Sequence, residues 1–134
     1  MAINDTMLRT PMRDKGKFSS RFSEWVYNSC NHQFFLMDAD VIIYKVETKI
    51  LRYFEYKHEN EGLSDGQKTM LPVLKDMIFH AVRGKIVAEG SGVYIIRGSI
   101  PFRDGATVEN VMTRKSAYMT TEQLKRLVSG ETTV

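Results

Sequence analysis

Apolar residues dominate two neighbouring stretches near the middle of the chain, and a short polar segment separates them. Residues 34–45 (FFLMDADVIIYK) and 50–58 (ILRYFEYKH) are rich in β-branched and aromatic side chains. Such runs on either side of a short polar break are typical of paired strands. The sequence therefore predicts a β-hairpin over 38–58, with its turn at 46–49.

Two helices are predicted from capping boxes, in which a Ser or Thr is followed three residues later by Gln. The box at Ser64–Gln67 precedes an apolar stripe of helical period and predicts a helix that ends at Gly84. Pro72 lies inside this segment and is expected to bend or divide the helix. The box at Thr120–Gln123 predicts a short helix to about Val128.

The remaining elements follow from shorter patterns. Apolar spacing at i, i+3 and i+4 predicts a first helix over about 20–30, and β-branched runs predict strands at 86–88 and 93–97. Residues 98–118 are expected to form a loop with some strand character at 107–112. This order of elements predicts one α/β or α+β domain over the 134 residues.

Composition narrows the class of protein. Apolar residues make up 43% and charged residues 26% of the chain, fractions that exclude disorder throughout. No apolar run approaches the roughly 18–20 residues of a membrane helix, and the first residues lack the apolar stretch of a secretory signal. One cysteine, Cys30, excludes an intrachain disulfide. These features predict a cytoplasmic protein with no membrane partner.

Positive charge is concentrated near the N-terminus, although the net charge of +3 is mild. Residues 1–18 combine arginines and lysines with small and polar residues, which predicts a flexible basic arm. Such an arm either follows a phosphate backbone or is a solvated tail.

The predicted hairpin brings ionisable residues together. A turn at 46–49 pairs Lys45 with Ile50 and, further along, Asp40 with Glu55 and Asp38 with Lys57. Opposed residues share a face of the sheet, with Cβ atoms about 4.5–5.5 Å apart. These acids and the lysine are therefore expected to form one patch.

This patch has the chemistry of a magnesium site. Mg²⁺ takes hard oxygen ligands, which Asp40 and Glu55 supply, together with the backbone carbonyl of Tyr56. Mn²⁺ is expected to substitute, and Lys57 would orient the attacking water and stabilise developing negative charge. Asp38 is an alternative first carboxylate. The competing interpretation is a set of polar cross-strand contacts on an exposed sheet face.

The motifs, taken in order, resemble the PD-(D/E)xK nuclease superfamily. The likeness is to its virus-type replication–repair nucleases and Holliday-junction resolvases. It rests on three motifs: Asp40 before an apolar strand, Glu55-Tyr-Lys57 on the next strand, and Leu63-Ser-x-x-Gln67 at a helix start. The resemblance covers roughly residues 20–97. It implies a restriction-endonuclease-like mixed central sheet flanked by helices.

The resemblance also implies roles for single residues. Asp40 and Glu55 would be metal ligands, Lys57 the catalytic lysine, and Gln67 a residue that reaches into the site, unless it serves as a cap alone. Glu24, in the first helix, would be a further metal ligand or a solvent-facing residue.

The implied function is a Mg²⁺-dependent DNA endonuclease that cleaves phosphodiester bonds with metal-activated water. Branched or flapped DNA is the expected substrate, and a homodimer would supply two cuts. One alternative is a catalytically silent nuclease fold that binds DNA or assists assembly. Another is a structural protein in which the motif is coincidental.

Overall fold

A computed structural model describes residues 41–134 together with Trp25, Asn28 and Ser29. The chain divides into two compact units, Met1–Asp38 and Ala39–Val134. In the first unit the three described residues are helical and exposed, at positions inside the helix predicted over about 20–30. The rest of that helix and the predicted basic arm lie outside the described residues.

The described part of the second unit contains one mixed five-stranded sheet, in which the strands lie in chain order. The strands are β1 (Val41–Lys45), β2 (Ile50–Lys57), β3 (Gly92–Arg97), β4 (Ala106–Asn110) and β5 (Lys115–Met119). Helix α1 (Asp65–Arg83) connects β2 to β3, and these two strands are parallel, whereas the other neighbours are antiparallel. Helix α2 (Thr121–Val128) follows β5. The predicted α+β class is confirmed.

The β1–β2 hairpin has the predicted register. Lys45 pairs with Ile50 and Val41 pairs with Phe54, around a turn at residues 46–49. A one-residue slip would have exchanged the faces of every side chain in one strand. The predicted pairings of Asp40 and Asp38 lie outside the described residues.

Both capping boxes form as predicted. The Ser64 hydroxyl accepts a hydrogen bond from the Gln67 backbone N–H, and the Gln67 side chain accepts one from Ser64 N–H. Thr120 and Gln123 repeat this arrangement at α2. Helix α1 continues through Pro72, so the predicted division at that residue is wrong. Among the described residues, no helix is long and apolar enough to cross a membrane.

The strand predicted at 86–88 does not form. The N–H groups of Ile86 and Val87 both donate to the carbonyl of Ala81, so this segment folds back over the end of α1. Lys85 adopts a φ of 61° at the point of reversal, the left-handed conformation that closes many helix ends. The N–H groups of Ile86 and Val87 therefore satisfy the helix terminus instead of pairing in the sheet, and the Ala88 N–H donates to the carbonyl of Lys49 in the β1–β2 turn at 2.8 Å.

The loop predicted over 98–118 contains a second hairpin, formed by β4 and β5. The strand character expected at 107–112 corresponds to β4, but β5 was not predicted. Four of the five residues of β5 are exposed and only Met119 is buried, so the strand lacks the apolar alternation by which strands are recognised.

The two faces of β2 have different environments. Phe54 packs in the main core with Tyr94 of β3, and Leu124 and Leu127 of α2 cover that face. The alternate β2 residues point to the opposite face, where α1 packs against the sheet.

Arg52 joins the residues after α2 to the sheet. Its side chain is 2% exposed, and its guanidinium donates to the carbonyls of Gly90 at 2.9 Å, Leu127 at 2.6 Å and Thr132 at 2.7 Å. The group also lies 5.3 Å from the centre of the Tyr94 ring. Burial lowers the pKa of Arg52, and the opposing electrostatic effect of Tyr94 is smaller.

We expect Arg52→Met to lower the free energy of unfolding by about 3–5 kcal/mol, because the carbonyls of Gly90, Leu127 and Thr132 lose a charged donor. The thermal midpoint should fall by more than about 10 °C in a calorimetric scan. Arg126→Met, at an exposed position of α2, is the matched control and should stay within about 0.5 kcal/mol of the wild type. Equal stability of the two variants would contradict this role for Arg52.

Candidate active site

Glu55 is the centre of the candidate site. It lies in β2, and its side chain is 3% exposed. The Tyr53 hydroxyl donates to Oε1 at 2.8 Å, and the Gln67 amide donates to Oε2 at 2.7 Å. Tyr53 reaches Glu55 because residues two apart in a strand share a face. Both carboxylate oxygens are therefore held in fixed positions.

Gln67 connects this carboxylate to the start of α1. Its amide oxygen accepts from the Ser64 N–H at 2.9 Å, while its amide nitrogen donates to Glu55. The sequence left open whether Gln67 serves as a cap alone, and in the structure its side chain caps the helix and also donates to Glu55. The capping box thereby fixes the helix start against β2.

Lys57 lies beside Glu55 on the same face of β2, and it is 7% exposed. Its Nζ is 3.9 Å from Oε2 of Glu55 and 3.8 Å from Oε2 of Glu61. Glu61 also accepts a hydrogen bond from the His58 N–H at 3.0 Å, so the loop after β2 presents this carboxylate to the lysine. A buried ammonium thus lies between two carboxylates.

Tyr56 lies between Glu55 and Lys57, and its side chain points to the other face of β2. The hydroxyl donates to the carbonyl of Gly98 at 2.7 Å, and the ring makes an edge contact with Phe102. These contacts fix the loop after β3. The predicted metal contact of Tyr56 involves its backbone carbonyl, which this side-chain placement does not test.

The structure brings Glu55, Lys57 and Gln67 together. Asp40 and Glu24, the other predicted metal ligands, lie outside the described residues. Within the described part of the chain, no group of three or more His, Cys, Asp or Glu side chains is placed to hold a metal ion.

Tyr53 and Glu61 contact the candidate site, Tyr53 at Glu55 and Glu61 at Lys57, and the sequence did not predict either contact. Tyr53 precedes Glu55 by two positions, so strand periodicity alone could have placed them together. Glu61 follows in a loop, where no period relates it to Lys57. The contact between Glu61 and Lys57 is therefore seen only in the structure.

Comparisons of the chain with family models, with curated proteins and with solved structures found no match.

We expect Lys57→Met to lower the free energy of unfolding by about 3 kcal/mol, since it removes a cation that lies beside the buried Glu55 carboxylate. The double variant Glu55→Gln/Lys57→Met should recover most of this loss, because it removes both charges. Chemical denaturation of the wild type and of the single and double variants measures the coupling. If Lys57→Met is as stable as the wild type, the two charges do not interact.

Proposed function

We propose that this chain is a Mg²⁺-dependent deoxyribonuclease of the PD-(D/E)xK type, with Asp40, Glu55 and Lys57 at its centre. The observation that carries the proposal is the placement of Glu55 and Lys57. An acid and an amine lie next to each other on a buried strand face, and a helix N-terminal glutamine holds the acid. Buried charges of this kind are costly, and they occur frequently where function requires them.

The donor set fits a hard divalent ion. Glu55 offers carboxylate oxygens held in place by Tyr53 and Gln67, and Mg²⁺ is usually bound by one or two carboxylates, with water and substrate phosphate as its other ligands. In our proposal Glu55 and Asp40 hold the ion, and the Tyr56 carbonyl is a further candidate ligand. Once bound, the ion would favour ionisation of a water molecule and neutralise charge on the phosphate.

Lys57 would act directly on the reacting phosphate. Its ammonium can donate hydrogen bonds to the attacking water and to a phosphate oxygen, where negative charge increases as the P–O bond breaks. Glu55 and Glu61 each lie within 4 Å of this ammonium. Removal of a donor from such a position typically lowers kcat by about 10²–10³-fold.

The family resemblance adds two features to the proposal: a preference for branched or flapped DNA, and a homodimer. Two identical sites in a dimer would cut two strands of a junction.

A catalytically silent DNA-binding subunit is the second candidate function. The observation that favours it is that protein side chains already occupy both oxygens of Glu55. A carboxylate used in this way could serve only to fix α1 against β2.

Cleavage of supercoiled plasmid and of a branched oligonucleotide in Mg²⁺ or Mn²⁺ tests the proposal. We expect cleavage by the wild type, loss of cleavage with EDTA, and a decrease of at least about 10²-fold in Lys57→Ala. Lys49→Ala is the matched control, since Lys49 ends a second Glu-x-Lys sequence in the exposed β1–β2 turn. This variant should cleave as the wild type does.

Binding of DNA without cleavage would identify the silent subunit. Cleavage that survives in Lys57→Ala would disprove the assigned site, and a protein that neither binds nor cleaves DNA would contradict both candidate functions.

A further inference from the structure

Arg97 lies beside Lys57 in the sheet. The two residues are partners in the parallel pairing of β2 with β3, so their side chains leave the same face, about 5 Å apart at the backbone. Phe54 and Tyr94, partners in the same register, confirm this geometry, because their rings stack at 5.5 Å in the core on the other face.

The two neighbouring cations have different surroundings. Lys57 has Glu55 and Glu61 within 4 Å. Arg97 is half-buried, and among the described residues its guanidinium has no ion pair or hydrogen bond. Like charges on adjacent strands repel each other, and an anion that contacts both would reverse the sign of this interaction.

The row of hydrogen-bonding side chains continues across the sheet from Arg97. Thr107 of β4 is the partner of Arg97, and Tyr118 of β5 is the partner of Thr107. Both side chains are exposed, so this face of β4 and β5 is open to solvent. Strands in a sheet lie about 4.8 Å apart, and the row therefore extends roughly 14 Å from Lys57.

We propose that this row, from Lys57 through Arg97 and Thr107 to Tyr118, is the track of a DNA strand. The inference rests on the proposed nuclease function and deepens it by assigning the direction of the substrate. Lys57 would contact the reacting phosphate, and Arg97 would hold a neighbouring phosphate with its planar fork of donors.

The chemistry of the row fits a phosphodiester strand. Two cations and a hydroxyl donor match phosphate oxygens, which provide most of the affinity in sequence-independent binding. At the far end Tyr118 is 62% exposed, and its hydroxyl donates to the carbonyl of Asp104. An exposed ring fixed in this way offers a base a surface to stack on.

Fluorescence anisotropy with a labelled single-stranded DNA in EDTA, at several salt concentrations, tests the track. We expect Arg97→Ala to raise Kd about tenfold and to reduce the slope of log K against log salt by about one. The matched control is Arg126→Ala, an exposed arginine on α2 at the opposite face of the sheet. It should change neither quantity.

Thr107→Lys is a second test that alters no buried residue. It adds a cation to the row and should lower Kd several-fold with a steeper salt slope. This variant decides the question if Arg97→Ala fails to fold, as monitored by its thermal midpoint.

The outcomes separate the two proposals. If the wild type does not cleave DNA but Arg97→Ala loses binding as described, the track stands and the nuclease function fails. If the wild type cleaves while Arg97→Ala and Thr107→Lys bind as it does, the track is wrong. Wild-type protein that does not bind DNA also overturns the track.

Discussion

The structure around β2 depends on the burial of opposite charges on a single strand face. Glu55 and Lys57 are 3% and 7% exposed, and neither could be removed from water without partners. Within residues 41–134, their partners include Tyr53 of the same strand, Gln67 at the start of α1 and Glu61 of the loop between them. The burial of these two charges therefore determines both where the start of α1 packs and which residues form the candidate site.

The other face of β2 anchors the C-terminal residues and contributes to the apolar core. There Arg52 is buried among neutral carbonyls and holds the residues after α2, while Phe54 joins the apolar core. Period-two alternation keeps the two roles apart, because adjacent residues of a strand point in opposite directions. A strand that carries so many buried polar groups requires a fixed register, and the β1–β2 pairing provides one.

Short sequence motifs predicted those parts of the fold that depend on residues close together in the chain. The hairpin register followed from the position of the polar turn, and the start of α1 followed from the capping box at Ser64. The strand expected at 86–88 does not form, because the chain reverses at Lys85 after the helix end. Strand β5 was not predicted, because its mostly exposed residues carry no apolar pattern. In the site, Glu61 reaches Lys57 through a loop, a contact that no sequence period describes.

A crystal structure of the protein soaked in Mn²⁺, beside one of Glu55→Gln treated in the same way, tests the central claim most directly. We expect an anomalous peak within about 2.0–2.3 Å of a Glu55 carboxylate oxygen, with Asp40 as a second ligand, and no peak in the variant. A Glu55 carboxylate that stays bound to Tyr53 and Gln67 with no Mn²⁺ beside it would contradict the metal site.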